Sequence, residues 1–151
     1  MSSHVSAAPL RVRYAETDQM GFAYYGNYMA WFEVGRCEWL RSLGWSYRDL
    51  EVRDAIMLPV IEAHCEYRKP ARYDDELLIR ARGELASPLR IRFAYEVVRA
   101  ADGAVLAVGH TVHASTDLSG RPKRLPTHVR AFFAQPGSRG ARSSWGGQVA
   151  L

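Results

Sequence analysis

The feature that most constrains the fold is the apolar segment NYMAWFEVGRCEWLRSL, residues 27–43, which predicts one long helix. Asn27 is a good N-cap, because its side chain can accept a hydrogen bond from an unpaired N–H of the first turn. Gly44 is typical of the residue that ends a helix. A helix that is apolar around most of its circumference is surrounded by protein, so we expect it at the centre of the fold. Its only charged residues are Glu33, Arg36, Glu38 and Arg41.

The rest of the chain is predicted to form an antiparallel sheet, because apolar and polar residues alternate with period two. Ser87-Pro88 and Asp102-Gly103 are turn signals between neighbouring segments. A short closing helix is expected over Thr127–Ala134. One helix along a curved sheet of about five strands is an α+β fold. The predicted strands lie within LRVRY (10–14), PVIEAHCEY (59–67), ELLIRARGEL (76–85), RIRFAYEVVR (90–99) and AVLAVGHTVHAST (104–116).

Length and composition indicate a single globular domain. At 151 residues with 48% hydrophobic residues, the chain can bury one core. No run approaches the roughly 18 apolar residues of a membrane span, and the first residues do not resemble a signal peptide. We therefore expect a cytoplasmic protein without membrane contact, with a domain over 9–134 and a flexible Gly/Ser/Arg-rich tail over 135–151.

Two further expectations concern partners. A single sheet cannot cover so apolar a helix on all sides, so we expect a homo-oligomer, a dimer or a larger assembly. The net charge of +4 raises the alternative of a nucleic-acid partner. The C-terminal arginines are not interleaved with aromatic residues apart from Trp145, and no nucleic-acid-binding motif is present, so no nucleic-acid partner is expected.

The segment TDQMGFAYYGNY, residues 17–28, is the candidate site. A helix N-terminus offers backbone N–H groups without partners to a developing negative charge, and Gly26 lets a ligand approach that backbone closely. Asp18 lies on a loop that Gly21 can fold back toward the helix. On the residues alone, a turn or capping role for Asp18 is the more common alternative.

Several motifs in order resemble the hotdog-fold acyl-CoA thioesterases, and most closely the 4-hydroxybenzoyl-CoA thioesterase family. The resemblance covers roughly residues 9–134. The resemblance implies hydrolysis of a short-chain or aromatic acyl-CoA to the free acid and coenzyme A. The motifs are RVRYAETDQMG (11–21), YYGNY (24–28), FEVGR (32–36), YRKPARYDDE (67–76) and GRPKRLP (120–126).

The resemblance also implies roles for site residues. Asp18 matches the catalytic carboxylate, and the backbone N–H of Tyr25, with Gly26 beside it, matches the group that polarises the thioester carbonyl. In that family the active sites lie across a dimer interface, and tetramers are usual. Many relatives acting on short aliphatic substrates carry His where this chain has Tyr25, which leaves the acyl group open between aromatic and aliphatic.

Further residues are expected to contact the substrate. Tyr24 and Asn27 belong to the candidate loop and helix start. Glu33 could touch the acyl group, although pairing with Arg36 is an equal alternative. Coenzyme A carries phosphates that favour Arg and Lys, and we expect these contacts from Arg90, Lys123 and Arg124, for which a solvated surface charge is the alternative.

The chemistry fits the residues without a cofactor. Coenzyme A is a good leaving group, because a thiol pKa near 8.5 lets the thiolate depart without a strong acid. The reaction needs a carboxylate, as nucleophile or as general base, and donors for the oxyanion. No metal is expected, since His110 and His113 alternate across one strand and match no ligand spacing. The alternatives are a hotdog-fold hydratase or dehydratase, and a non-catalytic acyl-CoA or acyl-carrier-protein binding module.

Overall fold

The computed structural model describes residues 4–133, and within them five antiparallel strands form one sheet in the order β1-β3-β4-β5-β2. This confirms the predicted sheet of about five strands. The predicted tail over 135–151 lies outside the described residues. The strands are β1 (Ser6–Arg11), β2 (Val60–Tyr67), β3 (Glu76–Ser87), β4 (Arg90–Arg99) and β5 (Val105–Ala114).

The described helices are α1 (Asn27–Ser42), α2 (Tyr47–Asp54) and α3 (Thr127–Phe133). Helix α1 ends as predicted: Gly44 has φ +80°, and the N–H groups of Gly44 and Trp45 bond to the carbonyls of Arg41 and Leu40 at 2.8 and 3.2 Å. This pattern pairs the last carbonyls of the helix. Helix α2 was not predicted; Ser46 begins it by accepting a hydrogen bond from the N–H of Asp49 at 3.1 Å.

Helix α1 packs directly against the sheet. The Phe32 ring stacks on the Tyr95 ring of β4 with centroids 4.2 Å apart, and Trp39 meets Phe93 edge-on at 5.5 Å. Gly35 sets the closeness of approach, since a Cβ there would lie 2.7 Å from the Ile79 side chain of β3. The core therefore lies between this face of the helix and the central strands.

The opposite face of α1 is not covered by any part of residues 4–133. Ala30 and Glu33 are exposed, and Val34 is 39% exposed. Strand β2, at one edge of the sheet, is likewise largely exposed, with Val60 and Ile61 each at 48%. The predicted enclosure of the helix is therefore incomplete in a single copy, because one sheet covers only one side of it.

A chain of buried hydrogen bonds crosses the core between α1 and β5. Arg36 donates to the Tyr95 hydroxyl at 3.4 Å. The Tyr95 hydroxyl lies 2.6 Å from the Thr111 hydroxyl, and the Thr111 hydroxyl lies 2.8 Å from Nε2 of His113. Nδ1 of His113 lies 2.9 Å from the Leu58 carbonyl. Because that carbonyl can only accept, Nδ1 carries the proton and Nε2 accepts. The arrangement holds His113 neutral, and burial lowers its pKa to about 4.

The prediction of a strand over residues 10–14 is corrected. Strand β1 ends at Arg11, and Tyr14–Glu16 form a short 3-10 turn. The Glu16 carboxylate accepts the backbone N–H of Arg13 at 2.8 Å. That N–H is thus unavailable to a neighbouring strand, and the chain turns toward the candidate site.

Candidate active site

The loop that carries Asp18 is a tight fold-back, as predicted from Gly21. The N–H of Asp18 bonds to the Phe22 carbonyl at 2.8 Å, and the N–H of Gly21 to the Asp18 carbonyl at 3.0 Å. Gly21 has φ +86°, a backbone conformation that favours glycine. Oδ1 of Asp18 accepts the N–H of Met20 at 2.9 Å. The half-buried carboxylate is thus oriented by its own loop, and its Oδ2 has no hydrogen-bond partner among residues 4–133.

The start of α1 differs from the prediction, because Asn27 does not cap it. Gly26 occupies the N-cap position, and no side chain caps the helix there. The N–H groups of Asn27 and Tyr28 already bond to the carbonyls of Tyr24 and Tyr25, at 3.0 and 3.2 Å. The Asn27 side chain instead donates to the Glu16 carbonyl at 2.8 Å, which ties the helix to the preceding loop.

The two backbone amides just before the helix lack partners. Across residues 4–133, no hydrogen bond satisfies the N–H of Tyr25 or Gly26. Such N–H groups at a helix start carry partial positive charge and suit an anionic oxygen. A Cβ on Gly26 would lie 2.7 Å from the Tyr24 ring, so a side chain there would force the ring or this backbone to shift.

A cavity of about 280 Å³ brings the carboxylate and this segment together. Asp18 and Tyr25, two of the predicted catalytic residues, both line it. Its other walls are mainly aromatic, from Phe22, Tyr28 and Tyr67, and two cations, Arg68 and Lys69, lie at its border. An apolar cleft with few polar groups is the usual form of a small-molecule site.

Tyr67, at the end of β2, was not predicted as a site residue. Its hydroxyl donates to the Tyr25 carbonyl at 3.1 Å, and its ring meets the Tyr28 ring edge-on at 4.9 Å. The pKa of Tyr67 is raised above its usual range, mainly by burial. The hydroxyl therefore keeps its proton and can donate it. Tyr67 thereby ties the edge strand to the segment before α1.

The two cations at the cavity were missed as well. Arg68 and Lys69 directly follow β2, and the N–H of each bonds to the Leu106 carbonyl, at 2.8 and 3.0 Å. Nε of Arg68 also pairs with Glu66 at 2.9 Å, while Lys69 is exposed and makes no ion pair with any described residue. The signal in the sequence was the RK pair within the motif YRKPARYDDE.

The basic residues predicted to bind phosphate lie elsewhere in the chain. The cavity lies at the end of β5 where Ala107 pairs with Tyr67. Arg90 lies at the opposite end of β5, where it pairs with Ala114. Nζ of Lys123 donates to the Asp54 carbonyl at 2.9 Å and so caps the C-terminal end of α2. Arg124 is exposed. A single copy therefore does not bring these three residues to the cavity.

The remaining predicted substrate contacts do not line the cavity either. Glu33 is exposed on the open face of α1, and within residues 4–133 it forms no ion pair with Arg36, which bonds to Tyr95 instead. The Tyr24 ring is 48% exposed and packs on the Tyr25 ring at 4.8 Å, outside the cavity wall. Asn27 does not line the cavity either, and all three residues remain predictions as substrate contacts.

The described residues contain no group of three or more His, Cys, Asp or Glu side chains that could hold a metal ion. Among the helices of residues 4–133, none combines the length and apolar character needed to cross a membrane.

Comparison with known proteins links this geometry to one family. A family model described as the thioesterase-like superfamily matches residues 12–133. The chain is 36% identical to the putative acyl-CoA thioesterase YneP of Bacillus subtilis over 62% of this chain and 67% of the relative. It is 30% identical to the acyl-CoA thioester hydrolase YbgC of Escherichia coli O6:H1, over 84% of this chain and 94% of the relative.

A solved structure of a thioesterase has the same fold as this chain. The DHNA-CoA thioesterase of Staphylococcus aureus superposes with a TM-score of 0.77 at 28% identity, covering 97% of this chain and 96% of that protein. This likeness confirms the predicted α+β hotdog architecture.

Proposed function

Because the chain belongs to the thioesterase-like superfamily, we propose that it is an acyl-CoA thioesterase that hydrolyses a short-chain or aromatic acyl-CoA. The names of relatives support the reaction class, since YneP and YbgC are described as acting on acyl-CoA thioesters. The largely aromatic cavity walls suit a flat or short acyl group over a long flexible one. The products are the free acid and coenzyme A.

One observation carries the proposal: Asp18 and Tyr25, whose backbone amide is unpaired among residues 4–133, line the same cavity, and Gly26, with the second unpaired amide, directly follows Tyr25. As the carbonyl carbon is attacked, negative charge develops on the carbonyl oxygen. Preorganised N–H donors stabilise that charge, and the loss of one such donor typically costs about a hundredfold or more in rate. The Tyr67 hydroxyl, bonded to the Tyr25 carbonyl, holds this segment in place.

Asp18 acts by one of two routes, as the nucleophile or as the general base. In the first, its available oxygen attacks the carbonyl carbon, coenzyme A leaves as thiolate, and water hydrolyses the resulting anhydride. In the second, the carboxylate takes a proton from water, which attacks instead. Both routes consume one water and release one thiol and one acid. Single turnover in ¹⁸O-water identifies the first route when water attacks the Asp18 carbon of the anhydride, because Asp18 then carries the label and the first-formed acid does not.

The cations at the cavity fit the phosphates of coenzyme A. Arg68 and Lys69 border the cavity beside Tyr67, and Lys69 has no carboxylate partner among residues 4–133. A phosphate binds such cations through charge-assisted hydrogen bonds. We therefore add these two residues to the predicted set of Arg90, Lys123 and Arg124.

A second copy of the chain would explain the open surfaces and the remote cations together. Edge strand β2 exposes apolar side chains, and α1 leaves one face uncovered. If two copies pair their β2 strands antiparallel, the Val60 end of one strand lies beside the Tyr67 end of the other. The end of the sheet that carries Arg90 then approaches the cavity of the partner subunit. We propose a dimer formed by pairing of the two β2 strands. The mass of the protein in solution would show whether two such dimers form a tetramer.

The experiment is a thiol-release assay over a panel of acyl-CoA esters with aromatic, short and long acyl groups. We expect turnover of at least one aromatic or short-chain ester. Binding of an acyl-CoA without thiol release would contradict the enzyme and favour the binding-module alternative. Conversion at a C–C double bond without thiol release would instead favour the hydratase.

A further inference from the structure

We propose that Glu16 is a positioning residue for this reaction, one that fixes the Asp18 carboxylate relative to the Tyr25 and Gly26 amides. The proposal rests on the proposed thioesterase function. Glu16 lies two residues before Asp18 and does not line the cavity, so it acts through its neighbours and not on the substrate.

The Glu16 carboxylate joins the loop to helix α1. Oε1 accepts the backbone N–H of Arg13 at 2.8 Å, and Oε2 accepts the indole N–H of Trp31 at 3.0 Å. The Arg13 guanidinium lies 3.5 Å from the same Oε2. Glu16 is only 8% exposed, and Trp31 is 2% exposed. Trp31 belongs to the second turn of α1, so this contact ties the loop to the rigid body of the helix.

The backbone carbonyl of Glu16 makes the second half of the connection. It accepts the N–H of Tyr24 at 2.7 Å and the side-chain amide of Asn27 at 2.8 Å. Tyr24 and Asn27 flank the two unpaired amides on either side. One residue therefore contacts both ends of the amide-bearing segment, and its chain continues through Thr17 into Asp18.

The charge of Glu16 is stabilised where it lies. Burial alone raises the pKa of the carboxyl, but the hydrogen bonds from the Arg13 N–H, the Trp31 indole and the Arg13 side chain outweigh it. The pKa therefore lies below its ordinary value. Hydrogen bonds to a charged acceptor are roughly twice as strong as neutral ones, so the ionised form makes the firmer link.

The far end of the loop is held by Ala23, whose N–H bonds to the Ala71 carbonyl at 2.8 Å. The part that carries Asp18 is held less firmly, since Met20 is 72% exposed and the side-chain bond of Asp18 is made within the loop itself. A misplacement of about 1 Å between reacting groups can cost on the order of a hundredfold in rate. Loss of the Glu16 contacts should therefore lower kcat without removing any group that touches substrate.

The test is Glu16→Gln, which keeps the shape but places an NH₂ group against either the Arg13 N–H or the Trp31 indole. We expect kcat to fall about tenfold to a hundredfold, with KM within about threefold of the native value. Trp31→Phe removes the indole donor and should lower kcat in the same way. The double variant should lose little more than the worse single variant, because both act through one contact.

Trp39→Phe is the matched control. It removes an indole donor from the same helix, bonded to the His4 carbonyl at 2.9 Å and remote from the loop. We expect it to lower the free energy of unfolding and leave kcat within about twofold. A Glu16→Gln variant with native kcat, or a Trp39→Phe variant with the same loss of kcat, would overturn the proposal.

Amide hydrogen exchange provides a readout that does not depend on activity. Glu16→Gln should accelerate exchange over residues 17–26 and leave β3 to β5 unchanged. Unchanged loop exchange, or equal acceleration in the sheet, would overturn the positioning role even if the native chain hydrolyses no acyl-CoA. Failure of the native chain in the thiol-release assay, by contrast, counts against the thioesterase function and leaves the exchange result to decide on Glu16.

Discussion

The buried neutral side chain of His113 predicts that the fold loses stability in mild acid. His113 is 1% exposed, and burial lowers its pKa to about 4 despite the opposing hydrogen bond to the Leu58 carbonyl. Protonation of Nε2 would place a donor against the Thr111 hydroxyl, which would lose the acceptor to which it donates. The Arg36 guanidinium at the far end of the chain of buried hydrogen bonds also disfavours a second positive charge.

The size of the effect follows from linkage. In the unfolded chain a histidine has a pKa of 6.5, and in the folded chain His113 has a pKa of about 4. Between these values the unfolded state binds a proton that the folded state does not, so the free energy of unfolding falls as the pH falls. At about 1.4 kcal/mol for each pH unit, the loss reaches roughly 3 kcal/mol and levels off below pH 4.

Urea unfolding at several pH values between 7 and 4, at one fixed protein concentration, measures this loss. The variant His113→Asn keeps a donor near the position of Nδ1 but does not titrate. Carboxyl groups also contribute to the pH dependence of stability. Burial raises the pKa of Glu96, so this residue stabilises the fold as the pH falls, opposite to His113. The comparison with the variant removes their contribution. His128→Gln, at an exposed histidine of α3 whose Nε2 lies 3.3 Å from the Asp54 carboxylate, is the control for loss of a histidine elsewhere in the fold.

We expect the native chain and His128→Gln to lose roughly 3 kcal/mol more than His113→Asn between pH 7 and pH 4. The variant should be less stable at pH 7, since it packs less well. Equal pH dependence of the native chain and His113→Asn would refute the assignment of acid sensitivity to this side chain.

Two predictions concern the cavity. Gly26→Ala places a methyl group 2.7 Å from the Tyr24 ring, so the ring or the amide-bearing backbone must shift, and kcat/KM should fall at least about tenfold. Adding Tyr24→Ala removes this clash and should restore kcat/KM; no recovery in that double variant would contradict the explanation. Tyr67→Phe removes the donor to the Tyr25 carbonyl and should lower kcat about fivefold, as expected for one hydrogen bond of about 1 kcal/mol. The exposed Tyr73→Phe serves as its control; equal kcat values for the two would speak against this role.

The sequence predicted the helix and the sheet where hydrophobic periodicity was strong. The apolar face of α1 and the alternating strands β3 and β4 carry most of the core, so their pattern reflects their packing. Helix α2 was missed because YRDLEVRD has a single buried residue, Leu50, and depends on its Ser46 cap. The predicted capping role of Asn27 was wrong because its side chain bonds to the Glu16 carbonyl, eleven residues earlier, and a local capping pattern does not reveal this contact.

Part of the candidate site depends on contacts between distant segments. Asp18 and Tyr25 could be predicted because they lie in one short motif that the chain itself folds back. Tyr67, Arg68 and Lys69 reach the same cavity only because β2 ends beside the start of α1, which no local pattern reveals. The phosphate contacts of Arg90, Lys123 and Arg124, the cytoplasmic location and the absence of a cofactor remain predictions.

The central claim is that the Asp18 carboxylate performs the chemistry, and the most direct test compares Asp18→Asn with Asp117→Asn. Asp117 is a matched loop aspartate, because its Oδ1 accepts the N–H of Ser119 at 2.9 Å just as Asp18 accepts that of Met20. Both variants keep an acceptor and lose the charge. With the best acyl-CoA of the panel, we expect Asp18→Asn to lower kcat at least about a hundredfold and Asp117→Asn to leave it within about twofold. Native kcat in Asp18→Asn, or an equal loss in both variants, would contradict the account.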